Sequence, residues 1–201
     1  RPSLREAISQ IYTTIDPDEV LVHAGAEEAI FLFMHAVLTP GEDVVVHWPC
    51  YQSLAEVARG LGCSVSRWEA DEADGWALTL DRLRQRIGSE TRAIVINTPH
   101  NPTGYQMPSE LYRDVVALSE RAGIRLFSDE VYRESEYDVQ SRLPAACDLG
   151  ERTVSLGVMS KSYGLPGLRI GWIATHDRVL LKRMAQLKDY TTICSAAPSE
   201  L

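Results

Sequence analysis

Lysine is scarce in this chain. Of its 201 residues 20 are basic, and only Lys161, Lys182 and Lys188 are lysines; the other 17 are arginines, never in a run long enough to form a basic patch. With a formal net charge of −8 and a pI near 5.1, nucleic acid and acidic membrane surfaces are poor candidates for the main partner. The four cysteines, Cys50, Cys63, Cys147 and Cys194, form no CxxC pair and show no regular spacing, which reads as free thiols in a reducing cytoplasm. The five histidines lack HExxH or any other metal-ligand spacing, so no metal site is expected. Neither GxGxxG nor GxxxxGK[ST] occurs, which counts against dinucleotide and P-loop binding. An SxxK nucleophile pair is also missing, because Val158 stands three residues before Lys161. No signal peptide and no apolar run of membrane length is present.

What is present is alternation. Seven short apolar runs, at 19–25, 43–48, 64–69, 92–98, 124–130, 153–158 and 169–175, are interleaved with amphipathic segments at 26–38, 51–62 and 109–123. Most of the runs are too uniformly apolar for half-exposed antiparallel strands and suit a mainly parallel sheet covered on both faces. The order predicts βαβ units and a three-layer, doubly wound α/β fold with a mainly parallel seven-stranded sheet. No repeat, low-complexity stretch or linker divides residues 1–201, which read as one domain. The chain opens in a helical pattern without an initiator Met and stops at SAAPSEL, as a piece of a longer protein would.

In open α/β sheets ligands bind beyond the carboxyl ends of the strands. There this sequence puts Gly25-Ala26-Glu27 after the first run, Asn97 to Gly104 (NTPHNPTG) after the fourth, Asp129 to Tyr132 (DEVY) after the fifth and Ser160-Lys161 after the sixth. Singly, each has an ordinary reading: Asn101-Pro-Thr-Gly as a turn, Asp129 as a helix cap, Gly25 as a strand–helix turn, Lys161 as a surface loop charge. Lys182 and Lys188 lie in RVLLKRMAQLKDY, whose helical periodicity makes them solvated helix charges.

In this order, NTPHNPTG, SDEVY and SKSYGLPGLRIGW resemble the class I/II pyridoxal-phosphate aminotransferases of fold type I. The pattern Ser-Lys-x-x-Gly-x-x-Gly-x-Arg-x-Gly falls on Ser160, Lys161, Gly164, Gly167, Arg169 and Gly171. The resemblance runs from about residue 3 to the end and covers the family's cofactor-binding large domain; the N-terminal segment and the small domain, with its arginine for the substrate carboxylate, would lie outside residues 1–201. It implies a last strand antiparallel to the rest, and pyridoxal 5′-phosphate held by Lys161 as a Schiff base. Only a primary amine can do this, since arginine keeps its proton.

By the same resemblance Asp129 faces the pyridine nitrogen, Asn101 and Tyr132 bond the 3′ oxygen, and Tyr51 stacks on the ring. Gly25, Ala26 and Glu27 would hold the phosphate at a helix N-terminus, helped by Arg169 and Ser160. One departure stands out: where many members carry a serine for the phosphate, this chain has Val158. The implied activity is amino transfer between an amino acid and a 2-oxo acid, by a cytoplasmic protein that is a homodimer at full length. SKSYGLPGLRIGW followed by KDYTT is also similar to capreomycidine synthase-like and other arginine-processing enzymes of this fold, whose chemistry is cyclisation or oxidation. The aminotransferase-like effector domain of a transcription regulator is a further, non-enzymatic reading. The helices at the two ends, near 2–12 and 177–189, are expected to be the least anchored.

Overall fold

The short apolar runs become the strands of one sheet, the most uniformly apolar of them lying in its buried middle. In a computed structural model, which describes residues 1–200, these strands are β1 (Val20–His23), β2 (Asp43–Trp48), β3 (Ser64–Glu69), β4 (Thr91–Asn97), β5 (Arg125–Asp129), β6 (Thr153–Val158) and β7 (Gly171–Ala174). They form a seven-stranded sheet in the order β1-β7-β6-β5-β4-β2-β3. β7 runs antiparallel to both its neighbours, β1 and β6, and every other pairing is parallel. The expected fold class and the antiparallel last strand are both found, with strand limits within two residues of those read from the sequence.

Successive side chains leave a strand on opposite faces, and the two faces bury different cores. Val44, Val46, Val95 and Phe127 point to the side of α2 (Ala26–Val37), α3 (Ser53–Gly60) and α6 (Arg178–Lys188), where Phe33, Met34, Leu180 and Met184 meet them. Val45, Ile94, Ile96 and Leu126 point the other way, against Tyr112, Val115 and Val116 of α5 (Ser109–Ala122). A smaller core gathers Ile8 of α1 (Pro2–Ser9) with Ile15, Val20 and Trp172 over the β1–β7 end of the sheet. Helices on both faces are what an all-buried parallel sheet requires.

Several local expectations change. A short helix, α4 (Leu80–Arg84), was not foreseen; Thr79 caps it by accepting from Arg82 N at 3.4 Å. α3 begins at Ser53, which leaves Tyr51 on the preceding loop. α6 is firmly anchored rather than loose: Leu180, Leu181 and Met184 are buried, and Asp177 both caps it and pairs with Arg125 at 2.9 Å. Lys188 is no solvated charge; it is 6% exposed and lies 3.1 Å from Glu28. Lys182 is exposed, as read. Among the described residues no helix is long and apolar enough to cross a membrane, and no group of three or more His, Cys, Asp or Glu side chains could hold a metal ion.

Candidate active site

The strand directions bring the candidate residues to one edge. β1, β2, β4, β5 and β6 all end there, and because β7 runs the opposite way its beginning, just after Arg169, lies there too. A cavity of about 310 Å³ opens at this edge. Nine of the ten expected residues line it: Ala26, Glu27, Tyr51, Asn101, Asp129, Tyr132, Ser160, Lys161 and Arg169. The tenth, Gly25, sits behind Arg169. Lys161 and Asp129, from neighbouring strand ends, therefore face the same space.

One wall presents groups that could hold an anion. Gly25, with φ +87° and ψ 177°, precedes α2 and gives that helix no side-chain cap, so its first N–H groups and positive dipole end face the cavity. The Arg169 guanidinium crosses directly over this turn: a Cβ on Gly25 would lie 2.5 Å from Arg169 Nη2. Arg169 Nη1 donates to Ser160 Oγ at 3.5 Å and to the Pro166 carbonyl at 3.2 Å. From behind, β7 presses against the same turn, since a Cβ on Gly171 would meet Gly25 C at 2.7 Å and Ala26 N at 2.9 Å. Gly25→Ala is expected to cost about 1–3 kcal/mol, because a side chain is strained in that backbone region, and to push the guanidinium aside. Chemical denaturation and a phosphate-ligand titration check the two effects.

The opposite wall carries a buried carboxyl. Asp129 is 3% exposed, and its hydrogen bond comes from Val131 N to Oδ1 at 3.2 Å. Burial pushes its pKa up to about 7; the nearby Glu130 and Glu27 charges add to the rise, and Lys161 and the Val131 N–H oppose it. Glu130 leaves the strand end on the other side, where Ala146 N and Ser155 Oγ donate to its Oε1 at 2.8 and 2.9 Å. Asp129 alone of the two faces the cavity without a cation in hydrogen-bonding contact.

Asn97 organises this wall, a role the sequence reading did not assign. Its Nδ2 donates to the Asp129 carbonyl at 2.9 Å and its Oδ1 accepts from Asn101 N at 2.6 Å, so one buried amide ties the β5 end to the Asn101 loop. The signal was an amide at the last position of an otherwise apolar strand, too costly to bury unless fully bonded. Lys161 Nζ sits 5.4 Å from the Tyr132 ring centre. Tyr51 stands beside Glu27, whose carboxylate raises the phenol's pKa.

His100, also not assigned, links two further loops. Its Nε2 contacts the Pro49 carbonyl at 2.8 Å, just before Tyr51, and its Nδ1 contacts Thr103 Oγ1 at 2.6 Å, just after Asn101. Burial lowers its pKa to about 4, so the ring is neutral at pH 7. A carbonyl only accepts, so Nε2 carries the proton and Nδ1 accepts from the threonine hydroxyl. His47, stacked on it at 3.7 Å between ring centres, is likewise kept neutral by burial.

Comparisons with known proteins show the family. A family model, "Aminotransferase class I and II", matches residues 1–200. The chain belongs to this family. It is 30% identical over 196 residues to an aspartate/prephenate aminotransferase of Thermus thermophilus, covering 95% of this chain and 50% of that protein. It is 33% identical over 174 residues to capreomycidine synthase of Streptomyces vinaceus, covering 87% and 44%. A crystal structure of a PLP-dependent aminotransferase from Streptococcus suis superposes on the whole chain with a TM-score of 0.92 at 32% identity, using 52% of that protein. The chain thus spans about half the length of the relatives it matches.

Class I and II aminotransferases depend on pyridoxal 5′-phosphate, and the donors in this member fit that molecule. The buried, cation-starved Asp129 suits a protonated ring nitrogen. The uncapped α2 N-terminus under Arg169 suits a phosphate. At Val158, where many members place a serine, the apolar side chain is buried at the cavity wall and offers no donor, leaving Ser160 as the hydroxyl beside Arg169.

Proposed function

We propose that residues 1–201 are the cofactor-binding large domain of a pyridoxal-phosphate-dependent aminotransferase that moves an amino group between an amino acid and a 2-oxo acid. When bound, the cofactor supplies an aldehyde that captures amines and a ring that withdraws electrons from the substrate Cα. Lys161 Nζ would hold the aldehyde carbon, and as a free amine it is the base placed to move the proton at the substrate Cα. Asp129 would keep the ring nitrogen protonated, Asn101 and Tyr132 would bond the 3′ oxygen, and Tyr51 would cover the ring face. The N–H groups of Ala26 and Glu27, with Arg169 and Ser160, would hold the phosphate; Gly25 shapes the turn, its own N–H being donated to the His23 carbonyl at 2.9 Å. At full length the protein works in the cytoplasm as a homodimer; the exposed apolar side chains of Phe31, Tyr163 and Leu165 support the association.

The observation that carries this reading is the pairing of Lys161 with Asp129 in one cavity, opposite an uncapped helix N-terminus. The test uses the full-length protein charged with pyridoxal phosphate and given one amino acid with no acceptor. The expected result is release of the matching 2-oxo acid in amounts equal to the number of sites, completed to turnover by a second 2-oxo acid. No oxo acid from any amino acid tried would overturn amino transfer, and a cyclised product retaining its nitrogen would favour the chemistry of the Streptomyces relative.

A further inference from the structure

We propose that Glu28 and Lys188 are positioning residues that brace the phosphate-binding turn at Ala24–Glu27 from behind. The proposal rests on the reading above that this turn takes a phosphate. Glu28 lies in the first turn of α2, three residues after Gly25, and its carboxylate is fully engaged. Oε2 accepts from Ala24 N at 2.6 Å and from Lys188 Nζ at 3.1 Å. Oε1 accepts from the Thr191 hydroxyl, from Thr192 N at 3.3 Å and from Thr192 Oγ1 at 2.7 Å. Lys188, in the last turn of α6, also donates to Thr192 Oγ1. One carboxylate thereby joins the chain entering the phosphate turn to the end of α6 and to two threonines three and four residues beyond it.

The charge arrangement explains why a lysine is buried here. A bare carboxylate on the residue next to the phosphate turn would repel a phosphate in the same helix-end field. His23, fully buried and 3.9 Å from Glu28, is kept neutral by that burial, its pKa pushed down to about 3. Lys188 is left to neutralise Glu28, whose hydrogen bonds hold its own pKa down at about 2 against the cost of burial. The pair acts as a rigid, nearly neutral strut. β7 presses on the turn at Gly171 while the strut holds Ala24 N, so the turn is gripped by two elements distant in sequence. Groups that aim donors at a ligand lose much of their effect when displaced by about 1 Å.

The test compares two probes on the full-length protein: pyridoxal 5′-phosphate, and pyridoxal, which lacks the phosphate. Lys188→Met is expected to weaken the phosphorylated probe about tenfold, as losing a group that orients a ligand's direct contacts typically does, while leaving pyridoxal within about twofold. The double variant Glu28→Ala/Lys188→Met leaves no lone buried charge and so is the safer folder; it should keep the selective loss, because the strut is gone. Equal weakening of both probes, or no weakening, would overturn the proposal. So would full recovery in the double variant, which would reduce Lys188 to masking a charge. A wild-type protein that binds neither probe would instead sink the reading of the site itself and the brace with it.

Discussion

Lys161→Ala in the full-length protein abolishes turnover, and with it the visible absorption that wild type gains with pyridoxal phosphate. The expected fall in rate is at least about 10⁴-fold, the scale seen when the group that forms the covalent bond is removed. Only this residue combines a primary amine with a place in the cavity. Lys182 points to solvent from α6, and Lys188 is committed to Glu28. The 17 arginines offer no substitute, because a guanidinium keeps its proton and cannot attack an aldehyde. The phosphate turn and Asp129 are untouched by the change, so the variant should still retain the cofactor non-covalently. Borohydride reduction of the wild-type complex, followed by peptide mapping, should fix the cofactor to the segment containing Lys161. A visible band that survives Lys161→Ala, or a label on the segment containing Lys188, would show the assignment to be wrong.

How far the sequence could be read depended on what each residue had to satisfy. β2, β4 and β6 were legible because a strand buried on both faces has no choice but to be apolar throughout. The cavity was legible because its residues are ones that cost free energy to place at strand ends without a ligand, and because their order matched a known family. α4 was not legible: five residues of mixed polarity, LDRLR, carry no periodic signal. The misreading of Lys188 is more instructive. Leu180, Met184 and Lys188 recur every four residues, so Lys188 falls on the buried stripe of α6, whereas Lys182 lies off it. A charge on an apolar stripe calls for a buried partner, and the partner lay about 160 residues away in Glu28. Periodicity could have flagged the lysine; only the fold could name the glutamate. Asn97 and His100 escaped for a similar reason, since what they do is join loops that the sequence does not show to be adjacent.

Asp129→Asn separates chemistry from binding and does so with a distinctive pH signature. In the cofactor-free protein burial raises the Asp129 pKa from its ordinary 3.8 to about 7. Between those values the folded protein binds a proton that the unfolded chain has released, so this group's contribution falls as pH rises from about 4 to about 7 and stays low above that. Asparagine keeps the shape and removes the titration. The stability difference between cofactor-free Asp129→Asn and wild type should therefore move in favour of the variant across this window. A shift of that size has a ceiling on the order of 4 kcal/mol. Glu130, raised in the same direction by its own burial, is present in both proteins, so that part of its contribution cancels in the difference. With the cofactor bound the order reverses: a protonated ring nitrogen gives the carboxylate the cation it lacks, and wild type should gain more stability than the variant above pH 7. Turnover should fall about 10³-fold, the upper range for removing one aligned electrostatic contact. Cofactor affinity should fall less than about tenfold, since the substitution leaves the proposed phosphate contacts of Arg169 and the α2 N-terminus untouched. Denaturation of both proteins between pH 4 and 8, with and without cofactor, supplies the first comparison and steady-state kinetics the second. Parallel pH profiles for the two cofactor-free proteins, or equal losses in affinity and turnover, would assign Asp129 a structural role instead.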